Sequence, residues 1–216
     1  MADKITVDKV IRAFLDASFM RSEGNTSLAD IASILHIKKA SLYNHFESRD
    51  DIVEKTLDSC AEYLGAISFI PGDIAAVAAK YPAETVLKGI VNRYVKMHEK
   101  QPLFQIYTCV ESLKYFNARA VKIIEGENKK LAEQTVITLT ELKKSKKISI
   151  AEEQIPAAAK WFVAGITAFL SEYLMRRKQA VMAFPQSGDG ELFQLAPDEK
   201  AMEKLSVLIE DFCKFI

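Results

Sequence analysis

Only eight glycines and six prolines punctuate the 216 residues of this chain, well short of the roughly 7% and 5% of average usage. Hairpins and tight turns need such residues, so their scarcity disfavours β-sheet folds and favours long helices. Apolar spacing at 3.6 residues supplies the helices themselves. The first is expected from about Val7 to Arg21, with Val10, Ile11, Phe14, Leu15 and Ser18 on one face, and Glu23-Gly24-Asn25 stops it. Ser27, with Asp30 three residues on, caps a short helix from Leu28 to Leu35 in a variant of the capping box. A third helix is expected from near Lys39 to near His45. Ser48 and Asp51 then open a longer fourth that reaches about Ser68, with Pro71-Gly72 beyond it.

The remainder reads the same way. Helices are expected over 83–99 and 103–114, broken by Lys100-Gln101-Pro102. A long one over 118–144 carries Val121, Ile124, Asn128, Leu131, Thr135, Thr138 and Leu142 on a heptad-like stripe. Pro156 sits in the first turn of a helix running to about Arg177. A loop rich in Gly and Pro is expected from Phe184 to Pro197. A last helix covers 199–215, with Met202, Leu205, Leu208, Ile209 and Phe212 inward. There is no internal repeat, low-complexity tract or strong strand alternation. The expected fold class is all-α.

Charge and composition narrow the function. Lys+Arg and Asp+Glu number 29 each, and 49% of residues are hydrophobic. A tail-driven nucleic-acid binder would be strongly basic, and an acidic disordered chain would be lopsided in charge and poor in apolar residues. Cys60, Cys109 and Cys213 are far apart in sequence and lack metal-ligand spacing, so they read as small buried residues in a reducing compartment. The N-terminal residues lack the form of a signal peptide. The most apolar stretch, Trp161 to Ser171, is too short to span a bilayer. A soluble cytoplasmic protein with no membrane partner is expected. Paired acids, metal clusters, phosphate loops and nucleophile elbows are missing from the pattern. No catalytic residue, cofactor or metal is therefore expected, and Gly188-Asp189-Gly190 reads as a plain loop.

One stretch carries specific chemistry. Ala32 lies inside the second helix, His36 and Ile37 follow four and five residues later, and Leu42 follows ten residues later. Two helices crossing at about 90–120° need a small residue where they approach, and Ala32 supplies it. Ile31, Leu35, Ile37 and Leu42 fill the angle between them. The second of the pair can then enter a major groove of roughly 12 Å width. From His36 to Arg49 the formal charge is +2, with Lys38, Lys39 and Arg49 against Glu47. Ser41, Tyr43 and Asn44 can donate to phosphates or base edges, and the start of the fourth helix can offer backbone N–H groups.

The run Thr26-Ser27-Leu28-Ala29-Asp30-Ile31-Ala32, then Ile37-Lys38-Lys39-Ala40-Ser41-Leu42-Tyr43-Asn44-His45-Phe46, then Ser48-Arg49-Asp50, resembles the N-terminal signature of TetR-family transcriptional regulators. Ile11, Phe14, Leu15, Phe19 and Gly24 also fit that family's first helix, so the resemblance covers roughly residues 7 to 55. It implies that Ser41 and Asn44, with Lys38 or Lys39, face DNA. It implies that Tyr43, His45 and Arg49 contact phosphates and that Phe46 is a core residue. Two positions depart from the pattern. His36 stands where the family usually has Gly, at a turn position whose positive φ is uncommon for other residues but better tolerated by His than by most. Lys38 stands where small hydroxyl residues are common.

The resemblance further implies a three-helix DNA-binding domain over residues 1–50 and a larger helical ligand-binding and dimerisation domain over 51–216. In such proteins the last two long helices, here about 157–177 and 199–215, form a four-helix bundle with a second copy. Ala157, Ala158, Ala164, Gly165 and Ala168 would permit close helix approach, and Trp161, Phe162, Phe169, Ile209, Phe212 and Phe215 would supply apolar area. Tyr63, Leu64, Ile67, Tyr94 and Met97, with His98, Phe104, Tyr107, Cys109 and Trp161, are candidates to line a pocket for a largely apolar small molecule. The expected function is a homodimeric regulator, a repressor released from a near-palindromic double-stranded DNA operator by an apolar or aromatic effector. The alternative is a helical small-molecule-binding protein or enzyme whose helix pair is only structural.

Overall fold

The computed structural model describes residues 5–183 and 195–216. The expected loop from Phe184, including Gly188-Asp189-Gly190, lies outside the described residues apart from its last three positions. Among the described residues there are helices and turns and no strand. In chain order they are α1 (Val7–Arg21), α2 (Leu28–Ile34), a 3₁₀ helix (Lys39–Asn44), α3 (Arg49–Ala66), α4 (Ile74–Lys80), α5 (Ala83–His98), α6 (Leu103–Leu113), α7 (Ala118–Lys144), a 3₁₀ turn (Glu152–Gln154), α8 (Ile155–Ala183) and α9 (Glu199–Phe215).

The differences from expectation have physical reasons. The helix α4 and the turn at 152–154 are additions to the expected set, being too short for apolar periodicity to register. The helix α8 runs six residues past Arg177, because nothing from Lys178 to Ala183 breaks it and Val181 continues its buried row. On α7 the buried residues are Ala120, Ile123, Leu131, Thr135, Thr138, Leu139 and Leu142, while Val121 and Asn128 are exposed. A strict heptad drifts against the 3.6-residue turn of a straight helix, so the expected stripe leaves the inward face toward the N-terminal end.

The chain divides into two compact units, residues 1–67 with 101–125, and residues 68–100 with 126–216. This division by packing falls elsewhere than the functional boundary expected near residue 50. Ile52, Val53, Leu57 and Cys60 of α3 share a core with Val10, Ile11, Phe14 and Leu15 of α1, and so do Ile106, Cys109, Val110 and Leu113 of α6. Phe19 and Phe104 meet edge to face, 5.0 Å between ring centroids. Gln105 Nε2 donates to Asp16 Oδ1 at 2.9 Å, and Arg119 pairs with Asp58. Burial pushes the Cys109 thiol up to about 12 and the Cys60 thiol upward as well, so both behave as apolar core residues.

In the second unit α5 is the hub. Its Lys88 pairs with Glu210 of α9 at 2.5 Å and with Glu84 at 2.6 Å. Tyr94 Oη donates to Glu127 at 3.0 Å. Glu99, at the end of α5, accepts from Tyr173 Oη at 2.7 Å and pairs with Arg177 at 2.7 Å, both on α8. The helices α8 and α9 approach closely where Gly165 faces Leu208, and Phe162 packs on Phe212 at 4.6 Å between ring centroids.

The end of α2 is decided by one residue. Ile37 N donates to Ala32 O at 3.0 Å and His36 N donates to Ser33 O at 3.1 Å, the bond pair of a Schellman motif. His36 takes the left-handed position of that motif, with φ 53°, as its place at a turn position usually held by glycine leads one to expect. Lys146 ends α7 in the same way, with φ 57°.

The environments of two histidines can be tested directly. Left-handed backbone costs an L-residue roughly 1–2 kcal/mol, and glycine escapes that cost at the expense of its own unfolded-state entropy. His36→Gly should therefore raise the unfolding free energy by about 1 kcal/mol in urea denaturation, and a loss of stability would show that the imidazole itself holds the turn. His98 is buried, and its Nδ1 donates to Tyr94 O at 2.8 Å. Burial lowers its pKa from 6.5 to about 4, outweighing that hydrogen bond, and Lys130 lowers it further. The unfolded chain thus takes up a proton between about pH 6.5 and 4 that the fold refuses. Stability present above pH 6.5 should fall as pH drops through that window, by on the order of 3 kcal/mol. His98→Gln should flatten the profile measured by urea unfolding, and equal slopes in both proteins would contradict the assignment.

Candidate nucleic-acid interface

A 3₁₀ helix of six residues is long for its kind and weakly bonded, so Lys39–Asn44 depends on anchors. Leu42 inside it and Phe46 just after it are both buried. His45 N and Phe46 N both donate to Leu42 O, at 3.0 and 3.1 Å. Lys55 Nζ stands 4.8 Å from the centroid of the Phe46 ring and pairs with Asp51 at 3.0 Å.

The helices on either side are capped as the sequence leads one to expect. Ser27 Oγ accepts from Asp30 N, and the Asp30 carboxylate accepts from Ser27 N. The Ser27 hydroxyl and amide hold the Asp30 carboxyl below its usual pKa. At α3, Ser48 Oγ accepts from Asp51 N at 3.0 Å, while the Asp51 carboxylate reaches back to Glu47 N at 3.0 Å. That backbone bond, with Lys55, lowers the Asp51 pKa.

With its apolar side anchored, the 3₁₀ helix turns polar residues outward. Lys38, Lys39, Tyr43 and Asn44 are exposed, Tyr43 at 53%, and Ser41 and His45 are half-buried. These six candidates lie within eight consecutive positions. Arg49 is placed differently. Its Nε donates to Thr26 O at 2.8 Å, and one terminal nitrogen donates to Glu23 O and pairs with the Glu23 carboxylate at 2.5 Å. Sequence reasoning missed Glu23 and Thr26 as partners. They lie 26 and 23 positions upstream, a separation that no helical period connects.

The pocket candidates are divided between the two units. In the first, Phe104 and Cys109 belong to the core, Leu64, Ile67 and Tyr107 are half-buried, and Tyr63 is exposed. In the second, Tyr94 and His98 are buried and Met97 is half-buried. Trp161 is 78% exposed on α8. Among the described residues, no group of three or more His, Cys, Asp or Glu is placed to hold a metal. No helix there is long and apolar enough to cross a membrane.

No family model matches the chain. It is 42% identical over 67 residues to IcaR of Staphylococcus aureus (strain Newman), the HTH-type negative transcriptional regulator of the icaADBC biofilm operon. The IcaR of Staphylococcus epidermidis is 36% identical over 63 residues. The matched segments span about a third of these relatives, 33% and 31% of their lengths. Solved structures extend the likeness along the chain. A TetR-family transcriptional regulator from Streptomyces coelicolor superposes with a TM-score of 0.55 at 13% identity, covering 95% of this chain and 78% of that one. The transcriptional regulator FadR from Bacillus subtilis, solved with stearoyl-CoA, gives a TM-score of 0.60 at 13% identity, covering 98% of this chain and 100% of that one. The fold of this chain is therefore that of the TetR-family regulators, with the resemblance first carried by the helix-turn-helix run holding along its length.

Proposed function

We propose that this protein is a homodimeric DNA-binding transcriptional regulator, a repressor whose operator affinity is lowered by an apolar or aromatic small molecule. The observation that carries the reading is the 3₁₀ helix, held from beneath by Leu42 and Phe46 and presenting Lys38, Lys39, Tyr43 and Asn44 to solvent. Side chains of these types reach phosphates and base edges. Ser41 and His45 complete the set. The likeness to IcaR, a negative regulator by name, supports repression. The acyl-CoA held by FadR supports an apolar effector class.

A single short recognition element buries little surface, and a two-fold dimer would read two half-sites about one helical turn apart. On α8, Ala157, Trp161, Ala164, Ala168 and Met175 form an exposed row at helical spacing. On α9, Val207 and Phe215 are exposed, Phe215 at 85%. We assign the partner copy to this face, within 157–177 and 199–215. A ligand that favours one conformation of the dimer would shift operator affinity by a coupling of typically about 1–3 kcal/mol.

The test is retention of a duplex that the protein itself selects from a randomised pool, followed by fluorescence anisotropy. Tyr43→Phe should weaken binding to selected and scrambled duplexes alike. Lys39→Ala should also make the plot of log affinity against log salt shallower, by about 0.9 for each phosphate that is no longer neutralised. Absence of any sequence-selective retention would favour the structural helix pair instead. For the dimer face, Trp161→Glu should convert the protein to a monomer in light scattering while leaving its circular dichroism unchanged, since the ring is exposed in the single chain. A dimer that persists would move the interface elsewhere.

A further inference from the structure

We propose that Arg49 is a positioning residue, whose guanidinium closes the helix-turn-helix into a ring and sets the angle at which the 3₁₀ helix meets DNA. The proposal rests on the DNA-binding reading above. Arg49 is the first residue of α3, and Thr26 immediately precedes the Ser27 cap of α2. The bond from Arg49 Nε to Thr26 O therefore joins the two ends of residues 26–49, which contain α2, the turn at His36 and the 3₁₀ helix. A second tie runs to the carbonyl and carboxylate of Glu23, just beyond the end of α1. Thr26 is itself buried, and its hydroxyl donates to Ser22 O at 2.8 Å. One planar group thus cross-links the start of α3, the entry to α2 and the exit from α1.

The charge of Arg49 is already answered. Its side chain is 29% exposed and that of Glu23 is 17% exposed, with 2.5 Å between them. A phosphate drawn to Arg49 would have to displace this carboxylate and two backbone acceptors. Lys38 and Lys39, by contrast, have exposed side chains with no ion pair among the described residues. The fork geometry matters as much as the charge, because donors diverging from Nε and a terminal nitrogen reach separate acceptors. An ammonium donates from one point and cannot span them.

Two substitutions separate this role from its rivals, each measured against the selected duplex and a scrambled one at a temperature where circular dichroism shows the native fold. Arg49→Lys keeps the charge and removes the fork. It should weaken selected binding on the order of tenfold, leave scrambled binding nearly unchanged and keep the wild-type salt slope. Glu23→Gln makes the module one unit more positive. Simple electrostatics would make it bind DNA more tightly with a steeper slope, whereas loss of the tie should weaken selected binding. Arg49→Lys at wild-type affinity, or tighter selected binding by Glu23→Gln, would overturn the proposal and leave the DNA-binding reading standing. So would variants that lower only the melting temperature and keep wild-type discrimination. Failure of the wild-type protein to select any duplex would overturn both.

Discussion

The burial of Leu42 and Phe46 is the interaction on which the rest of the proposed interface depends. A fully buried leucine or phenylalanine contributes roughly 1.5–3 kcal/mol, while six residues of 3₁₀ helix contribute few well-aligned hydrogen bonds. The Lys39–Asn44 segment is thus held by tertiary packing rather than by its own ladder. Its outward residues inherit their direction from those two anchors. The left-handed turn at His36 and the Ser48 cap at α3 set where it begins and where the next helix takes over. Each is a local device, but all act on the same short segment.

Charge is arranged by the same logic. The chain carries equal numbers of acidic and basic residues, and within the first unit many cations are already paired. Arg21 pairs with Asp30, Arg49 with Glu23, Lys55 with Asp51 and Arg119 with Asp58. Pairing removes those cations from the field seen by a phosphate backbone, since counterion release scales with the phosphates neutralised. The exposed excess near the 3₁₀ helix then reduces largely to Lys38 and Lys39. Such a surface would hold bulk DNA weakly and leave selectivity to geometry and a few base contacts.

Much of this is legible in the sequence, and the reason is locality. The Ser27–Asp30 cap, the Ser48–Asp51 cap and the turn at His36 each involve residues within a few positions of one another. The limits of α7 and α9 follow from periodicity and breakers in the same way. What cannot be read depends on residues far apart in the chain. Arg49 reads from the sequence as a phosphate-contacting cation, and only the fold brings Glu23 and Thr26 against it. Phe104 and Cys109 read from the sequence as pocket candidates or as core residues, because aromatic and small apolar residues suit both. Only the packing of α6 against α1 and α3 places them in a core.

That packing also bears on what the proposed DNA-reading unit would consist of. A boundary near residue 50 separates the recognition sequence from the rest, yet it cuts through a single hydrophobic core. Val10, Phe14 and Ile31 lie on one side of it, and Ile52, Leu57, Ile106 and Val110 on the other. Helix α6 enters this unit only after the chain has built α4 and α5 of the second. The residues that would read DNA are therefore contiguous, while the residues that hold them are not. Rigidity at Leu42 and Phe46 is a property of the whole discontinuous unit, and any displacement of α6 bears directly on the core that sets the 3₁₀ helix in place.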